Sequence, residues 1–467
     1  VSAIDYPLLA VAGGTVVTAT GAEVTDILVR GETIERLGGG TADADEVIDA
    51  RGLTVLPGAI DPHVHLGDQG QTHRETFAAG TAAALLGGIT SVFEHPLSVP
   101  PTTTGERYRV KQALAKRESR LDFGLWGAIA PEGPEEIRLQ WARGARGFKA
   151  FVVDSASSFP HVDDATLLDG MREVAALGGL VLVHCENDAI VAAEAARAAT
   201  TGARDGRSYA ESRPAVAEIE ATARVLVLAR EAGVRIQIVH VSDATAAAHV
   251  DAAAAGGMAA TLEHTMHHLI LDLGDASALG PWARCAPPLR SRATVEALWA
   301  RLGEGGIAQL ASDHSPYTMA EKEIGFEDVF AAGMGIQSLQ ESVPFFLDEA
   351  VHRRGLTLER CAEVIAGQAA RTLGLGGKGV IGPGADADLA IWDLDSRWVV
   401  DPPTQHRSVN RWSALTGRSC DVRLVRSLVR GRTAALDGEV LAAPGDGRFL
   451  VPNLTDLRDV TGGDGGR

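Results

Sequence analysis

Between about Leu53 and Ser315 the chain repeats one pattern, a short apolar run followed by an alanine- and leucine-rich stretch long enough for a helix. Eight such runs can be read. They end near His65 (from Thr54), Pro96 (from Ile89), Ala130 (from Leu121), Val153 (from Gly147), Glu186 (from Leu180), Ser242 (from Arg235), His264 (from Gly257) and His314 (from Gly306). Strands separated by helical crossovers pair in parallel, because each helix carries the chain back to the same end of the sheet. Eight strand–helix units in series predict an α/β fold of the TIM (β/α)8 barrel type. The stretch Asp164 to Leu177 predicts one of the helices, with an acidic residue to cap its first turn and Gly178 and Gly179 to end its last.

A chain of 467 residues exceeds what one core usually serves, so smaller structure should be attached to the barrel. Residues 1–53 and 379–440 carry valine-rich alternations broken by glycine, the texture of β-strands and tight turns. They predict one small β-sandwich domain built from both chain ends around a barrel at 54–378, whose part from Phe326 to Leu375 is helical. Residues 441–467 read as a C-terminal arm with a disordered, glycine-rich tip.

Charge narrows the partners. With 43 basic and 61 acidic residues the chain carries a formal charge of -18, which repels nucleic acid and anionic membranes. The four cysteines, Cys185, Cys285, Cys361 and Cys420, show no paired spacing and read as reduced thiols of a cytoplasmic protein. No basic segment with an apolar core opens the sequence, and no apolar stretch is long enough to span a bilayer, so neither secretion nor membrane insertion is expected.

The chemistry-bearing residues gather at the ends of the predicted strands, where barrel active sites lie. His63 and His65 lie two apart and so point to one side of a strand, as two imidazoles sharing a cation require. His184 and His240 end later runs, Asp313 ends the last, and Lys149 lies within Gly-Phe-Lys-Ala-Phe-Val. Apolar surroundings should lower the pKa of that lysine. A neutral amine reacts with carbon dioxide, and the carbamate would bridge two cations; the plainer alternatives are a lysine reaching for the barrel mouth or pairing with Asp154.

Several motifs together resemble the amidohydrolase superfamily, in its cyclic amidohydrolase branch of hydantoinases, dihydropyrimidinases, allantoinases and dihydroorotases. They are Pro-Gly-Ala-Ile-Asp-Pro-His-Val-His, Gly-Phe-Lys-Ala-Phe, Val-His-Cys-Glu-Asn, Ile-Val-His-Val-Ser, Ala-Pro-Pro-Leu-Arg (from Ala286), Ser-Asp-His-Ser-Pro (from Ser312) and Gly-Ala-Asp-Ala-Asp-Leu (from Gly384). The resemblance implies that His63, His65 and Asp313 hold one divalent metal and His184 and His240 a second, with carboxylated Lys149 between them. Zinc comes first among the candidates, with manganese, cobalt or iron as alternatives. It further implies a small cyclic ureide as substrate, Asp313 as the proton carrier, main-chain groups near Ala286 and Met334 on the substrate ring, and a homotetramer or dimer.

Departures within the branch narrow the substrate. Gly67 stands where dihydroorotases generally carry a carboxylate-gripping arginine, and Asp154 where many D-hydantoinases and dihydropyrimidinases have an oxyanion-stabilising tyrosine. Ser155, a backbone amide or the metals themselves would then have to do that work. The segments Ser-Phe-Pro-His-Val-Asp-Asp and Asp-His-Ser-Pro-Tyr-Thr resemble allantoinases, while Pro-Pro-Thr-Thr-Thr and the Gly-Arg-Phe tail resemble L-hydantoinases. Allantoin opened to allantoate is the first expectation, hydantoinase or dihydropyrimidinase activity the alternative, and a non-catalytic relative or a mononuclear deaminase the remaining ones. His95 is expected to narrow or polarise the pocket, and His264, His267 and His268 to be ordinary polar histidines rather than ligands.

Overall fold

The computed structural model describes residues 7–155 and 157–454. Each of the eight apolar runs contains a strand. Ala59–Val64, Ile89–Glu94 and Asp122–Leu125 form one parallel sheet. Gly127–Ala128, Gly147–Phe151, Leu180–His184, Arg235–Ile238, Ala260–Thr265 and Gln309–Ala311 form a second, with every strand beside its neighbour in the chain.

The two sheets meet at both ends. Trp126, between Leu125 and Gly127, donates its N–H to the Glu94 carbonyl at 2.9 Å. At the other end Val64 pairs in parallel with His314, and the His65 N–H reaches the His314 carbonyl at 2.8 Å. Helices return the chain between strands. The helix Asp164–Leu177 starts where the Asp163 side chain accepts from the Thr166 N–H and stops at Gly178, whose φ of 76° favours glycine.

The run from Thr54 to His65 is not one strand. Thr54–Pro57 pairs with Leu8–Thr18 in parallel and with Leu389–Asp393 antiparallel, and only after Gly58 does the chain enter the parallel sheet. A Cβ at Gly58 would lie 2.3 Å from the Thr90 side chain, so glycine occupies the crossing. The remaining strands from both chain ends join Thr54–Pro57 in one nine-stranded sheet around Val11, Val16, Ile27, Val55, Leu389 and Leu428. Where a sandwich was expected, hydrogen bonding is continuous, because Thr54–Pro57 links the N-terminal strands to the C-terminal ones.

From Ser342 to Leu373 the chain is largely helical, with wide turns at Asp348–Arg353 and Glu363–Gly367. Of the arm, Phe449 pairs beside Phe123, and the Leu450 N–H donates to the Phe123 carbonyl at 2.7 Å. The tip predicted to be disordered lies outside the described residues. All four cysteines are buried and unpaired. Among the described residues no helix is long and apolar enough to cross a membrane.

The nine-stranded sheet and the parallel sheets share a tight contact at Gly88, where φ is 76° and a Cβ would stand 2.3 Å from the buried Trp392 ring. Gly88→Ala should therefore cost about 1–2 kcal/mol in backbone strain and about 1–3 kcal/mol in overpacking. Gly202, with φ 72° and nothing within 4 Å, supplies the comparison: Gly202→Ala incurs the backbone cost alone. Unfolding midpoints should fall further for Gly88→Ala than for Gly202→Ala, and equal falls would contradict the packing account.

Candidate metal centre and substrate pocket

Nε2 of His63 and Nε2 of His65 each lie 3.2 Å from the same Asp313 oxygen, Oδ1. Ligand atoms of all three residues fall within 4.8 Å of one another, a spacing that suits a metal ion. The grouping comes from the joint between the first and last parallel strands. Asp61 Oδ1 accepts from both the His63 and Ser312 N–H groups at 3.1 Å, tying the two strand ends together. Asp313 (φ 45°) and His240 (φ 39°) adopt left-handed backbone, a conformation that surrounding structure must hold in place.

His184 and His240 form the neighbouring group, with ring centroids 4.5 Å apart and the His63 ring 5.3 Å from His240. Lys149 lies in the Gly147–Phe151 strand, fully buried, its Nζ without a hydrogen-bond partner and 4.7 Å from the centre of the Phe151 ring. The expected alternative of a pair with Asp154 is not found. Burial drives the Lys149 ammonium down to about 8 against the pull of Glu263 and Asp313. Burial alone would raise the Asp313 carboxyl, but His63, His65 and Lys149 outweigh it and hold it at about 2. Burial also keeps His63 and His240 neutral, leaving imidazole lone pairs for a cation.

A shell of carboxylates orients the imidazoles. Glu263 Oε1 lies 3.0 Å from His63 Nδ1, which directs Nε2 at Asp313. Glu186 Oε2 takes His184 Nε2 at 2.7 Å, which leaves Nδ1 as the nitrogen open to a cation. Arg213 in turn binds both oxygens of Glu186, at 3.0 and 2.6 Å, and the pair outweighs burial to keep that carboxyl ionised. Sequence reasoning did not assign these roles. Glu186 was within reach, since two residues after His184 it continues the same face of the chain, whereas no local pattern connects Glu263 with His63, 200 residues away.

The centre opens into a pocket of about 420 Å³ lined by His63, His65, His184, His240 and Asp313 at one end. Ser155, Ala286 and Met334, the three predicted substrate contacts, line it as well; Asp154 does not, and Gly67 contributes only backbone. The buried Lys322 ammonium donates to the Gly333 and Gly335 carbonyls at 2.9 and 2.8 Å, bracing Met334 between them. His95 does not line the pocket. It stacks on His63 with ring centroids 3.7 Å apart and so supports that ring.

His264 and His268 have structural partners. His264 Nδ1 bonds the Val241 carbonyl, and His268 engages Thr265 and the Pro287 carbonyl through its two nitrogens. Atoms of His267, His268 and Cys285 also lie close enough to surround a cation, but His268 has no nitrogen to spare without breaking one of those bonds. His314 aims Nδ1 at the Ser338 N–H, 3.1 Å away, and stays out of the pocket.

Comparison with known proteins gives consistent results. The model of the amidohydrolase family matches residues 54–434. An allantoinase of Rubrobacter xylanophilus is 45% identical over 450 residues, covering 95% of this chain and 97% of that protein. An L-hydantoinase of Paenarthrobacter aurescens is 36% identical, covering 93% and 96%. Among solved structures, the L-hydantoinase (dihydropyrimidinase) from Arthrobacter aurescens matches with a TM-score of 0.92 at 35% identity, over 96% of this chain and 100% of that one.

The buried amine generates a prediction for the metal-free protein. Lys149 loses its proton near pH 8 when folded but near 10.5 when unfolded, so the folded state binds fewer protons between these values. Stability should rise with pH across that window, while the cost of the buried charge is present in full below pH 8. Lys149→Met should flatten the rise and stabilise the metal-free protein at pH 7 by up to about 3 kcal/mol. Denaturant titrations at pH 7, 9 and 10.5 measure this, and an unchanged pH slope would mean the amine is not held as described.

Proposed function

This chain belongs to the amidohydrolase family, and on that premise we propose that it opens a five-membered cyclic ureide by hydrolysing a ring amide, allantoin to allantoate before any other. It is a hydrolase of cyclic amides. The observation that carries the reading is a buried, unpartnered lysine amine alongside four histidines and an ionised aspartate at one pocket end. We read the two parallel sheets as one closed (β/α)8 barrel, a reading supported by the joints at Val64–His314 and Trp126–Glu94.

The donor set fits two divalent cations and a carbamate on Lys149. The unpartnered Lys149 Nζ and His240 Nδ1 and the converging nitrogens of His63 and His65 are groups whose burial makes sense with a cation nearby. His63, His65 and Asp313 would hold one ion, His184 and His240 the other, and the Lys149 carbamate both, with zinc the first candidate and manganese, cobalt or iron open to the same donors. When bound, the ions would polarise the amide carbonyl and make a nucleophile available near neutral pH.

The protein's own groups do the rest. Asp313, ionised at neutral pH, is the group to take the proton of the nucleophile and hand it to the departing ring nitrogen, which otherwise leaves poorly. The Ser155 hydroxyl and the main chain at Ala286 and Met334 orient the ring from the pocket walls. Gly67 offers no side-chain cation to a dihydroorotate carboxylate, and Arg74, nearby in the pocket, is already bound to Glu321 at 2.6 Å. The hydantoinase reading stays second, favoured by the similarity to L-hydantoinases. The same reading makes the protein a cytoplasmic homotetramer or dimer, its four buried thiols suiting a reducing compartment.

Elemental analysis should find about two divalent ions per chain. Incubation with ¹³C-bicarbonate should give a carbamate resonance that Lys149→Ala abolishes together with most of the bound metal; unchanged metal content in that variant would refute the bridge. Asp313→Asn should fold normally and lose about 10²–10⁴-fold in turnover. The substrate assignment is tested by ranking: kcat/KM should fall from allantoin through apolar 5-substituted hydantoins to dihydrouracil, with dihydroorotate last. A bulky aryl hydantoin that outruns allantoin would make the enzyme a hydantoinase.

A further inference from the structure

The pocket wall carries two arginines in different electrostatic states. The Arg74 guanidinium is neutralised by Glu321, with three contacts of 2.6 to 3.2 Å. Arg284 has no carboxylate within 4.0 Å among the described residues. Its Nη1 donates to the Ala332 carbonyl, its guanidinium stacks 4.8 Å from the Tyr209 ring centre, and its Nε is buried without a hydrogen-bond partner. Tyr209 is held in turn, its hydroxyl bonded to the Cys285 carbonyl at 3.1 Å. The side chain is therefore braced on two sides, and its guanidinium brings a positive charge without a carboxylate partner to the pocket wall.

A guanidinium held in place at a pocket wall without a carboxylate partner is a charge-assisted donor for an acceptor on the ligand. We propose that Arg284 is a specificity-determining residue that donates to a carbonyl oxygen on the C5 arm of the cyclic ureide. The proposal rests on the cyclic-ureide reading above and deepens it by naming what selects among ureides. Arg284 touches the arm rather than the reacting amide, because the metal-ligand end of the pocket is formed by the histidines and Asp313. A ureido arm presents the acceptor, whereas a methyl arm or a bare C5 offers the guanidinium none. A site built to donate to a polar arm discriminates against an arm that lacks the acceptor.

The test measures kcat and KM of the metal-loaded wild type, Arg284→Met and Arg284→Lys with allantoin, 5-methylhydantoin and unsubstituted hydantoin. In Arg284→Met, kcat/KM for allantoin should fall about 10–100-fold further than for hydantoin, chiefly through KM, so that the preference for a polar arm is lost. Arg284→Lys, which keeps the charge but not the planar, braced guanidinium, should recover only part of it. Circular dichroism and metal content confirm that each variant is folded and loaded, and Arg284→Lys carries the test if Arg284→Met does not fold. A parallel fall on all three substrates, or no change in their ratios, would overturn the proposal and leave the cyclic-ureide reading intact. A wild type that opens none of the three would overturn both.

Discussion

The whole site depends on how the first and last parallel strands are joined. Val64 pairs with His314, and the Asp61 carboxylate receives the N–H groups of both His63 and Ser312. Those bonds set the register that brings Asp313 Oδ1 to 3.2 Å from each of two imidazoles 250 residues earlier in the chain. A slip of one residue would turn the alternating side chains to the opposite face and scatter the group. Asp61 is itself fully buried, and burial raises its carboxyl to about 7 despite those bonds, so the joint sits in a strongly desolvated environment.

Around this joint the protein concentrates polar groups that would be expensive in isolation. Buried charge is tolerated only when paired, and the pairs here are connected. Arg213 holds Glu186, which holds His184; Arg290 holds Glu218, which binds the Ser242 N–H just past the His240 strand. Lys111 bonds Glu94 at 2.8 Å, and Glu94 accepts from the Leu66 N–H immediately after His65. His63 is thus oriented by Glu263, and His184 by Glu186 with Arg213 behind it. Several buried polar atoms stay without a hydrogen-bond partner all the same, the Lys149 amine and the Nδ1 atoms of His65 and His240 among them.

Periodicity made the strands legible. Alternating apolar and helical runs located the strands and their order, although the run from Leu121 to Ala130 folds as two strands, and the spacing of His63 and His65 declared a shared face. Gly58 escaped notice, because an unbroken apolar run from Thr54 to His65 contains no turn signal other than Pro57-Gly58, and each half pairs with a different sheet. His95 was read as a pocket residue, yet its ring stacks on His63; a one-dimensional pattern cannot say which side of a ligand a neighbour occupies.

The sequence by itself determined the kinds of residue available at the strand ends, hence the chemistry: neutral imidazoles, one carboxylate, and one lysine in apolar surroundings. It did so because side-chain period and local hydrophobicity are properties of adjacent residues. Tertiary structure alone decided that Glu263 orients His63, that Lys322 braces Met334, and that Arg74 is neutralised while Arg284 is not. These are questions of desolvation and partner geometry across long stretches of chain. Whether a charge is matched depends on what lies within hydrogen-bond reach after folding, and nothing local encodes that.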